Sequence, residues 1–261
     1  MSLPAVPESF RWTTERWGAA LRCLPLDDVA PHLFSTRQLG FTALADQDQL
    51  GRAVGADAVV MVSQVHGNRV VVVRDAQQLP ARDTEADAIV SCAPGVAVAV
   101  RAADCVPLLM ADRTTGAVAA VHAGWRGTAA RIATAALETL GRESGASPAD
   151  VLVAIGPSIG PCCYEVGSEL VDAFAAAGHE RYLIDRWFAT PPPQRGSRER
   201  PRLRLDVAGA NRDQLVLAGV PEDQIFVSGL CTAMHLDVLT SYRAEKDQAG
   251  RLVAAIRAIP L

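Results

Sequence analysis

A succession of short apolar runs between residues 57 and 123 limits the folds that this chain can adopt. Runs such as "VAVAVRA" at 96–102 and "VPLLMAD" at 106–112 lack the strict apolar–polar alternation of a half-buried strand. Strands that are apolar on both faces are covered on both sides by other parts of the protein. The centre of the chain therefore predicts buried strands packed on two sides.

Other patterns place helices and further strands around this block. Within 57–73, Gly67-Asn68 joins two β-branched runs and predicts a two-residue hairpin with His66 at its turn. Apolar positions from Ile132 to Leu140 predict a helix over 127–141. Further helices are predicted at 46–54, at 168–178 with Gly178 as C-cap, and at 206–219. Further strands are predicted at 21–25, 32–37, 86–91, 117–122, 151–156, 224–229 and 252–259.

The Pro-rich, charged stretch at 189–202 predicts a mobile surface excursion. The elements after it are too few to build a second core. We therefore expect a single domain over residues 1–261.

Composition narrows the range of partners. The chain has 261 residues, a pI near 5.7 and a net charge of -4, so it lacks the basic excess of proteins that bind nucleic acids or anionic membranes. No apolar run approaches the roughly 18 residues of a membrane span. The 6 cysteines are scattered, which is typical of reduced thiols or a metal site. We expect a cytoplasmic protein that binds small molecules.

His66, Cys105 and His122 fall at strand ends or turns of the apolar block. Two imidazoles and a thiolate suit zinc and leave a fourth position open, as in catalytic sites. The residues do not form a CxxC pair, and a histidine at a hairpin tip is often simply solvated. Cys105 has two further interpretations, a nucleophile paired with His122 in a hydrolase and a small apolar core residue.

Several charged or reactive residues near these positions are further candidates. Asp104 could orient an imidazole or accept a proton, or be solvated at a strand end. Cys162 and Cys163 precede a predicted helix, where a thiol pKa would be lowered, although packing in a loop is the alternative.

In "HAGWRG", Arg126 and free backbone N–H groups at the start of the 127–141 helix predict an anion site. The flanking glycines would let backbone approach a ligand closely. The alternative is that Arg126 pairs with a surface carboxylate while Trp125 packs. Arg37 and Arg243 are candidate polar contacts or surface charges.

Five motifs in order carry a family resemblance: "SQVHGNRV", "RAADCVPLLMAD", "AVHAGWRG", "IGPSIGPCCYEVG" and "CTAMHLDVLTSYRAEKDQAGR". The chain resembles the laccase-domain family, long labelled multicopper polyphenol oxidoreductases and later described as purine nucleoside phosphorylases with adenosine deaminase activity. The resemblance covers about residues 32–259, and its most specific part is 57–167.

The resemblance implies an α+β (α/β-type) layered sandwich of mixed β-sheets flanked by helices, with zinc held by His66, Cys105 and His122. It implies phosphorolysis of adenosine, inosine, guanosine or methylthioadenosine, and deamination of adenosine to inosine. In the mechanism that we expect, zinc activates water for attack on adenine C6, Asp104 or Glu165 carries a proton, and the Arg126 region places phosphate. Copper could occupy the same ligands opportunistically. Such an enzyme would be a monomer or a homodimer.

The chain also departs from the family pattern. The segment 35–55 has one of the family's usual glycines and lacks most of its other characteristic residues, and Ala244 replaces a usual second arginine. A divergent enzyme with altered substrate or reduced activity, or a non-catalytic nucleoside-binding protein, is therefore an alternative. The sequence does not favour a multicopper oxidase, because its 5 histidines include no His-x-His pair.

Overall fold

The computed structural model describes residues 3–40, 44–190 and 202–259. Most of its strands belong to two mixed sheets of six strands each. The first sheet contains β1 (Phe10–Glu15), β2 (Gly18–Cys23), β3 (His32–Ser35), β4 (Ala58–Val60), β7 (Val96–Ala102) and β14 (Leu252–Arg257). The second contains β5 (Val70–Val73), β6 (Ala88–Ser91), β8 (Val106–Asp112), β9 (Val118–Ala123), β10 (Val151–Ile155) and β13 (Ile225–Val227). Strands β11 (Phe188–Ala189) and β12 (Arg204–Leu205) form a small ribbon.

The strand order shows that each sheet joins distant parts of the chain. It is β1-β2-β3-β14-β7-β4 in the first sheet and β13-β10-β8-β9-β6-β5 in the second. The parallel neighbours are β4 with β7, β5 with β6, and β10 with β13, whereas the other paired strands are antiparallel. The last strand, β14, lies between β3 and β7 and so places the C-terminal segment inside the first sheet.

Helices cover the outer faces of the two sheets. Helix α2 (Leu44–Val54) packs on the first sheet, and the layer on the second sheet is formed mainly by α4 (Ile132–Ser144), α5 (Ser168–Ala176), α6 (Arg181–Trp187) and α7 (Val207–Leu217). The remaining short helices are α1 (Leu24–Asp27), α3 (Trp125–Ala129) and α8 (Tyr242–Glu245). None of the helices in the described part of the chain combines the length and apolar character needed to cross a bilayer.

The layering explains the runs that are apolar on both faces. Along β7, Val98 and Val100 lie in the core between the sheets, whereas Ala97 and Ala99 face the α2 side. Successive side chains of a strand point to opposite faces, so a strand between two apolar layers needs both sets to be apolar. The structure confirms the predicted mixed sheets flanked by helices.

The predicted helices at 46–54, 168–178 and 206–219 are confirmed to within a few residues at each end. Strand β1 and helix α6 were not predicted. The predicted strand at 21–25 instead spans Gly18–Cys23, because Pro25 lies in the first turn of α1. The predicted excursion at 189–202 lies almost wholly outside the described residues.

The hairpin predicted at Gly67-Asn68 is wrong. Strand β4 belongs to the first sheet and β5 to the second, so the segment between them crosses from one sheet to the other. His66 itself has the left-handed backbone conformation, with φ of 61°. The successive N–H groups of Val65, His66 and Gly67 all point at one carboxylate, that of Asp87, instead of pairing across a hairpin.

The helix predicted over 127–141 is divided in two. Arg131 separates α3 from α4 with a left-handed φ of 59°. Its guanidinium donates to the carbonyl oxygens of Ala177 and Gly178 at 2.7 and 2.9 Å, beyond the end of α5. A helix does begin within "HAGWRG", but it is the five-residue α3, with Arg126 as its second residue. The anion site expected there stays a prediction.

A buried histidine makes the stability of the fold pH-dependent. His32 is fully buried, donates from Nδ1 to the carbonyl of Ala30 and accepts from the N–H of Cys23, both at 2.9 Å. Burial lowers the pKa of His32 to about 4 from 6.5. The unfolded chain therefore binds this proton at a higher pH than the folded protein does.

We expect the free energy of unfolding to fall between pH 6.5 and 4 by about 3 kcal/mol on account of His32. Urea unfolding of the wild type and of His32→Gln at pH 7, 6, 5 and 4 measures this contribution, because glutamine does not titrate there. The variant should start less stable and lose less stability on acidification. Parallel pH profiles for the two proteins would contradict the assignment.

Candidate metal centre and substrate cavity

Three potential metal ligands converge at one end of the second sheet. His66 lies in the segment between the sheets, Cys105 immediately precedes β8, and His122 lies in β9. Strands β8 and β9 are paired so that Pro107 is opposite His122, which brings the Cys105 end of one strand to the histidine of the other. The ligand atoms of the three residues lie within 4.8 Å of one another and could hold a metal ion.

Asp87 supports this cluster and was missed by the sequence reasoning. It is fully buried just before β6, and its Oδ1 accepts from His122 Nδ1 at 2.8 Å and from the His66 N–H at 2.9 Å. Its Oδ2 accepts from the Gly67 N–H at 2.6 Å. The bond to His122 Nδ1 leaves Nε2 of that ring available to a metal. The sequence did contain an indication of this role, because Asp87 is a carboxylate at the start of the otherwise mainly apolar segment 87–91.

The cluster favours an anionic sulfur ligand. Burial raises the pKa of Cys105, but hydrogen bonds with His122 and His66 outweigh burial and lower this pKa from 9.0 to about 7. Burial also lowers the pKa of His122, but its bonds to Asp87 and Cys105 raise it to about 9. For Asp87, burial is opposed by bonds from His122 and Gly67, and the net pKa is lowered.

Glycines of "HAGWRG" leave room for the ligands. A Cβ atom at Gly124 would lie 2.9 Å from Cδ2 of His66 and 3.0 Å from Sγ of Cys105. A Cβ atom at Gly127 would lie 3.0 Å from the carbonyl oxygen of Gly67. Two imidazoles and a readily ionised thiol form a donor set that fits zinc, with one coordination position left for a substrate or water.

A cavity of about 650 Å³ adjoins the three ligands, which is in the size range of small-molecule sites. Volume alone does not distinguish it, because a cavity beside α4 measures about 660 Å³. The cavity beside the ligands also combines aromatic and cationic side chains. Its lining consists of Gln64, His66, Arg101, Ala102, Ala103, Asp104, Cys105, His122, Trp125, Tyr164, Tyr242, Arg243, Lys246 and Arg251.

Asp104, Trp125 and Arg243 are the predicted substrate-site or proton-carrying residues that line this cavity. Asp104 has a positive φ of 87°, and its two carboxylate oxygens accept from Thr232 Oγ1 and from the Arg243 N–H, both at 2.6 Å. The guanidinium of Arg243 lies over the ring of Tyr164 at 5.1 Å and donates to the carbonyl of Glu165 at 2.9 Å.

Arg37, Arg126 and Glu165 are not among the residues that line the cavity. Arg37 forms an ion pair at 2.9 Å with Glu245, which lies in the same helix, α8, as Arg243. Arg126 is exposed, and its guanidinium stacks on Trp125 at 4.3 Å. The Glu165 carboxylate pairs with Arg202 at 3.1 Å. The roles predicted for these residues stay predictions.

Three cations of the cavity wall were missed by the sequence reasoning. Arg101, Lys246 and Arg251 line the cavity, and in the described part of the chain none of them forms an ion pair with a carboxylate. The sequence did contain an indication of these cations, because all three lie in the motifs that carry the family resemblance. Arg101 is the first residue of "RAADC", and the other two lie in "SYRAEKDQAGR". Without acidic partners they are available to an anionic ligand.

The divergent segment 35–55 contributes no described residue to the cavity wall. Its helix α2 instead packs Leu50 and Val54 on the outer face of the first sheet. Its effect on activity stays a prediction.

Comparison with known proteins identifies the family. The family model described as multi-copper polyphenol oxidoreductase laccase matches residues 42–259. The chain belongs to this family. Its relatives include a purine nucleoside phosphorylase of Deinococcus radiodurans, 37% identical over 87% of this chain and 89% of that protein. An adenosine deaminase, RL5, from an unknown prokaryotic organism is 37% identical over 80% of this chain and 77% of its own length.

The fold of the family is also known from solved structures. YlmD from Geobacillus stearothermophilus superposes with a TM-score of 0.79 and 28% identity, covering 97% of this chain and 100% of that one. This similarity supports the two-sheet architecture over nearly the whole chain.

Replacement of Asp87 tests how far metal binding depends on the carboxylate. In Asp87→Asn, the amide N–H₂ would face either His122 Nδ1–H or the N–H of Gly67, so one donor would oppose another. We expect zinc affinity to fall roughly 10- to 100-fold, as for other residues that hold a metal ligand in place. Competition with a chromophoric zinc chelator measures the affinity.

Asp112→Asn is the matched control. Asp112 is also fully buried, but it lies at the other end of β8 and accepts from the Thr114 hydroxyl at 2.9 Å. Its replacement should leave zinc affinity unchanged. Equal affinities for wild type and Asp87→Asn would show that Asp87 does not organise the centre.

Proposed function

We propose that this chain is a zinc-dependent purine nucleoside phosphorylase that also deaminates adenosine. Its substrates would be phosphate and purine nucleosides, namely adenosine, inosine, guanosine or methylthioadenosine. The main structural support is the combination in one cavity of His66, Cys105 and His122 with unpaired cations and aromatic rings. The names of the relatives, several of which are purine nucleoside phosphorylases, support the same activity.

The cavity wall offers one surface for the purine base and another for phosphate. Trp125 and Tyr164 line the cavity and would contact a purine base through the ring surface that Arg126 and Arg243 leave uncovered. Arg101, Arg243 and Lys246 offer positive charge for phosphate, and positioning of the two substrates together lowers the entropic part of the barrier. We infer that phosphate binds to these cations rather than to Arg126, which is exposed and is not among the residues that line the cavity.

His66, Cys105 and His122 would hold zinc, with Asp87 fixing the His122 ring. A zinc ion bound there supplies a Lewis acid beside the substrate. Asp104 lines this cavity and Glu165 does not, so Asp104 is the better placed of the two to carry a proton. Asp104 also holds the backbone of Arg243, so it would couple the proton-carrying group to the phosphate-binding side.

One observation favours a second candidate, a cysteine hydrolase. Cys105, His122 and Asp87 form a thiol–imidazole–carboxylate series, and the pKa of Cys105 is lowered to about 7 by its bonds with His122 and His66 despite burial. A thiol nucleophile would work without stoichiometric metal. Metal analysis of active protein therefore separates the two functions.

The histidines give no support to a multicopper oxidase. All 5 lie in the described part of the chain, and only His66 and His122 join the candidate metal centre. His32 is bonded to backbone groups in the core, and His179 Nε2 donates to the carbonyl of Ala129 at 2.8 Å. Copper at this centre would be an occasional replacement for zinc.

We also propose a cytoplasmic location. All six cysteines are free thiols, which is typical of proteins in a reducing compartment.

Product analysis tests the activity. Zinc-loaded protein incubated with adenosine should form inosine without phosphate, and adenine with ribose 1-phosphate when phosphate is added. Cys105→Ala should lose bound zinc and both activities together, whereas Cys92→Ala, which alters a half-buried thiol outside the centre, should keep them. Chromatography follows the products. Full turnover by zinc-depleted Cys105→Ala would refute the zinc mechanism, and saturable adenosine binding without product would indicate a binding protein.

A second prediction concerns phosphate. Arg101→Gln removes one unpaired cation from the cavity, and a hydrogen bond to a charged group contributes about 1.5 kcal/mol or more. We expect the KM for phosphate to rise roughly tenfold, with little change in phosphate-independent deamination. Arg113→Gln is the control, because Arg113 lies in the turn at the opposite end of β8 and β9. Equal loss of both activities in Arg101→Gln would place Arg101 at the nucleoside instead.

A further inference from the structure

A second cluster of potential metal ligands lies apart from His66, Cys105 and His122. It consists of Cys162 and Cys163, in the segment after β10, and Cys231, which precedes the 3-10 turn Thr232–Met234. The three Sγ atoms lie within 4.8 Å of one another. This cluster contains sulfur alone, with no carboxylate or imidazole among the residues that the structure describes.

Backbone hydrogen bonds hold the two segments of this thiol cluster together. Ser158 donates its N–H to the carbonyl of Leu230 at 3.2 Å and accepts from the N–H of Thr232 at 3.0 Å, so Cys231 is fixed beside Ser158. In the other segment, the N–H groups of Cys163 and Tyr164 both donate to the carbonyl of Gly160 at 3.0 Å. The turn places its adjacent cysteines against Cys231.

Gly160 makes room for the side chains of Cys162 and Cys231. A Cβ atom there would lie 3.3 Å from Cys162 Sγ and 3.4 Å from Cys231 Cβ. The N–H of Gly160 also donates to Cys231 Sγ at 3.3 Å, which links the two segments directly. A side chain at this position would occupy the space between the two segments.

A positive charge lies next to the thiol cluster. Arg204 Nη1 donates to the carbonyl of Cys162 at 2.8 Å. Arg204 Nε is buried and has no hydrogen-bond partner among the described residues. A guanidinium here would offset the net negative charge that three thiolates retain around a monovalent cation. Cys162 is exposed, which gives an ion access to the cluster.

We propose that Cys162, Cys163 and Cys231 form a second metal site, which binds Cu(I) as three thiolates. Thiolate ligands select soft ions such as Cu(I), and hard ions such as Mg²⁺ or Ca²⁺ prefer oxygen. Three sulfur atoms complete the coordination of Cu(I), whereas zinc normally takes four ligands. Binding replaces the thiol protons and involves no change in oxidation state.

The bound ion would tie together two segments that carry the cavity wall. Cys163 is followed by Tyr164, whose ring lies beneath Arg243. Cys231 is followed by Thr232, which donates to Asp104 at 2.6 Å. The site would therefore stabilise the cavity from outside. It does not depend on the function proposed above, and it would let the protein carry copper without oxidase chemistry.

Anaerobic titration of the reduced, zinc-loaded protein with Cu(I), against a chromophoric Cu(I) chelator, tests the site. Wild type should bind one tight equivalent at the thiol cluster, with the near-ultraviolet absorption of Cu(I)–thiolate bonds. Cys162→Ser should weaken this binding by at least about a hundredfold, the upper end of the loss caused by removing a residue that only supports a ligand. Cys105→Ala should leave the same equivalent in place.

Cys92→Ser is the control for loss of a thiol elsewhere and should titrate like wild type. Cys162 is exposed, so its replacement by serine, which has nearly the same shape, removes little buried surface. Cys163→Ser provides an independent variant that should show the same loss. The proposal is overturned if Cys162→Ser and Cys163→Ser bind Cu(I) with the stoichiometry and affinity of wild type, or if the equivalent disappears in Cys105→Ala.

Discussion

The buried carboxylate of Asp87 is the interaction on which the candidate active site depends. It accepts hydrogen bonds from the ring of His122 and from backbone N–H groups of His66 and Gly67. One side chain thus sets the orientation of one candidate metal ligand and the backbone conformation of another. A buried carboxylate is costly without such partners, and the nest of N–H groups and the imidazole supply them.

The two-sheet architecture explains why a site forms at this end of the molecule. Strands β8 and β9 are buried on both sides, so their positions are fixed by apolar layers above and below. Cys105 and His122 are held in place together with these strands, whereas His66 lies in the segment that crosses between the sheets. The cavity wall also includes Arg101 of β7 and residues of the segment before β14. The strand order brings both close to the candidate metal centre. Residues far apart in sequence therefore share one cavity because β14 lies inside the first sheet.

Part of the fold and part of the candidate site could be predicted from the sequence. Strands without polar alternation indicated layers on both sides. His66, Cys105 and His122 were candidate metal ligands because their residue types suit zinc and they lie at strand ends or turns. Other features depend on partners that a local pattern does not contain. Gly67-Asn68 is typical of a hairpin, but the three N–H groups around it bind Asp87, twenty residues later in the chain. Arg131 likewise divides a helix because it contacts carbonyl groups beyond α5. The cations of the cavity were missed because charge in a single sequence does not indicate which side chains lack acidic partners.

We expect the centre formed by His66, Cys105 and His122 to support catalysis through a bound metal. The most direct measurement is a zinc titration of chelator-treated protein, with phosphorolysis of inosine followed at each addition and bound zinc measured in parallel. Activity should rise in proportion to zinc and saturate when the centre holds one equivalent. Full phosphorolysis by protein that retains no stoichiometric metal would contradict it.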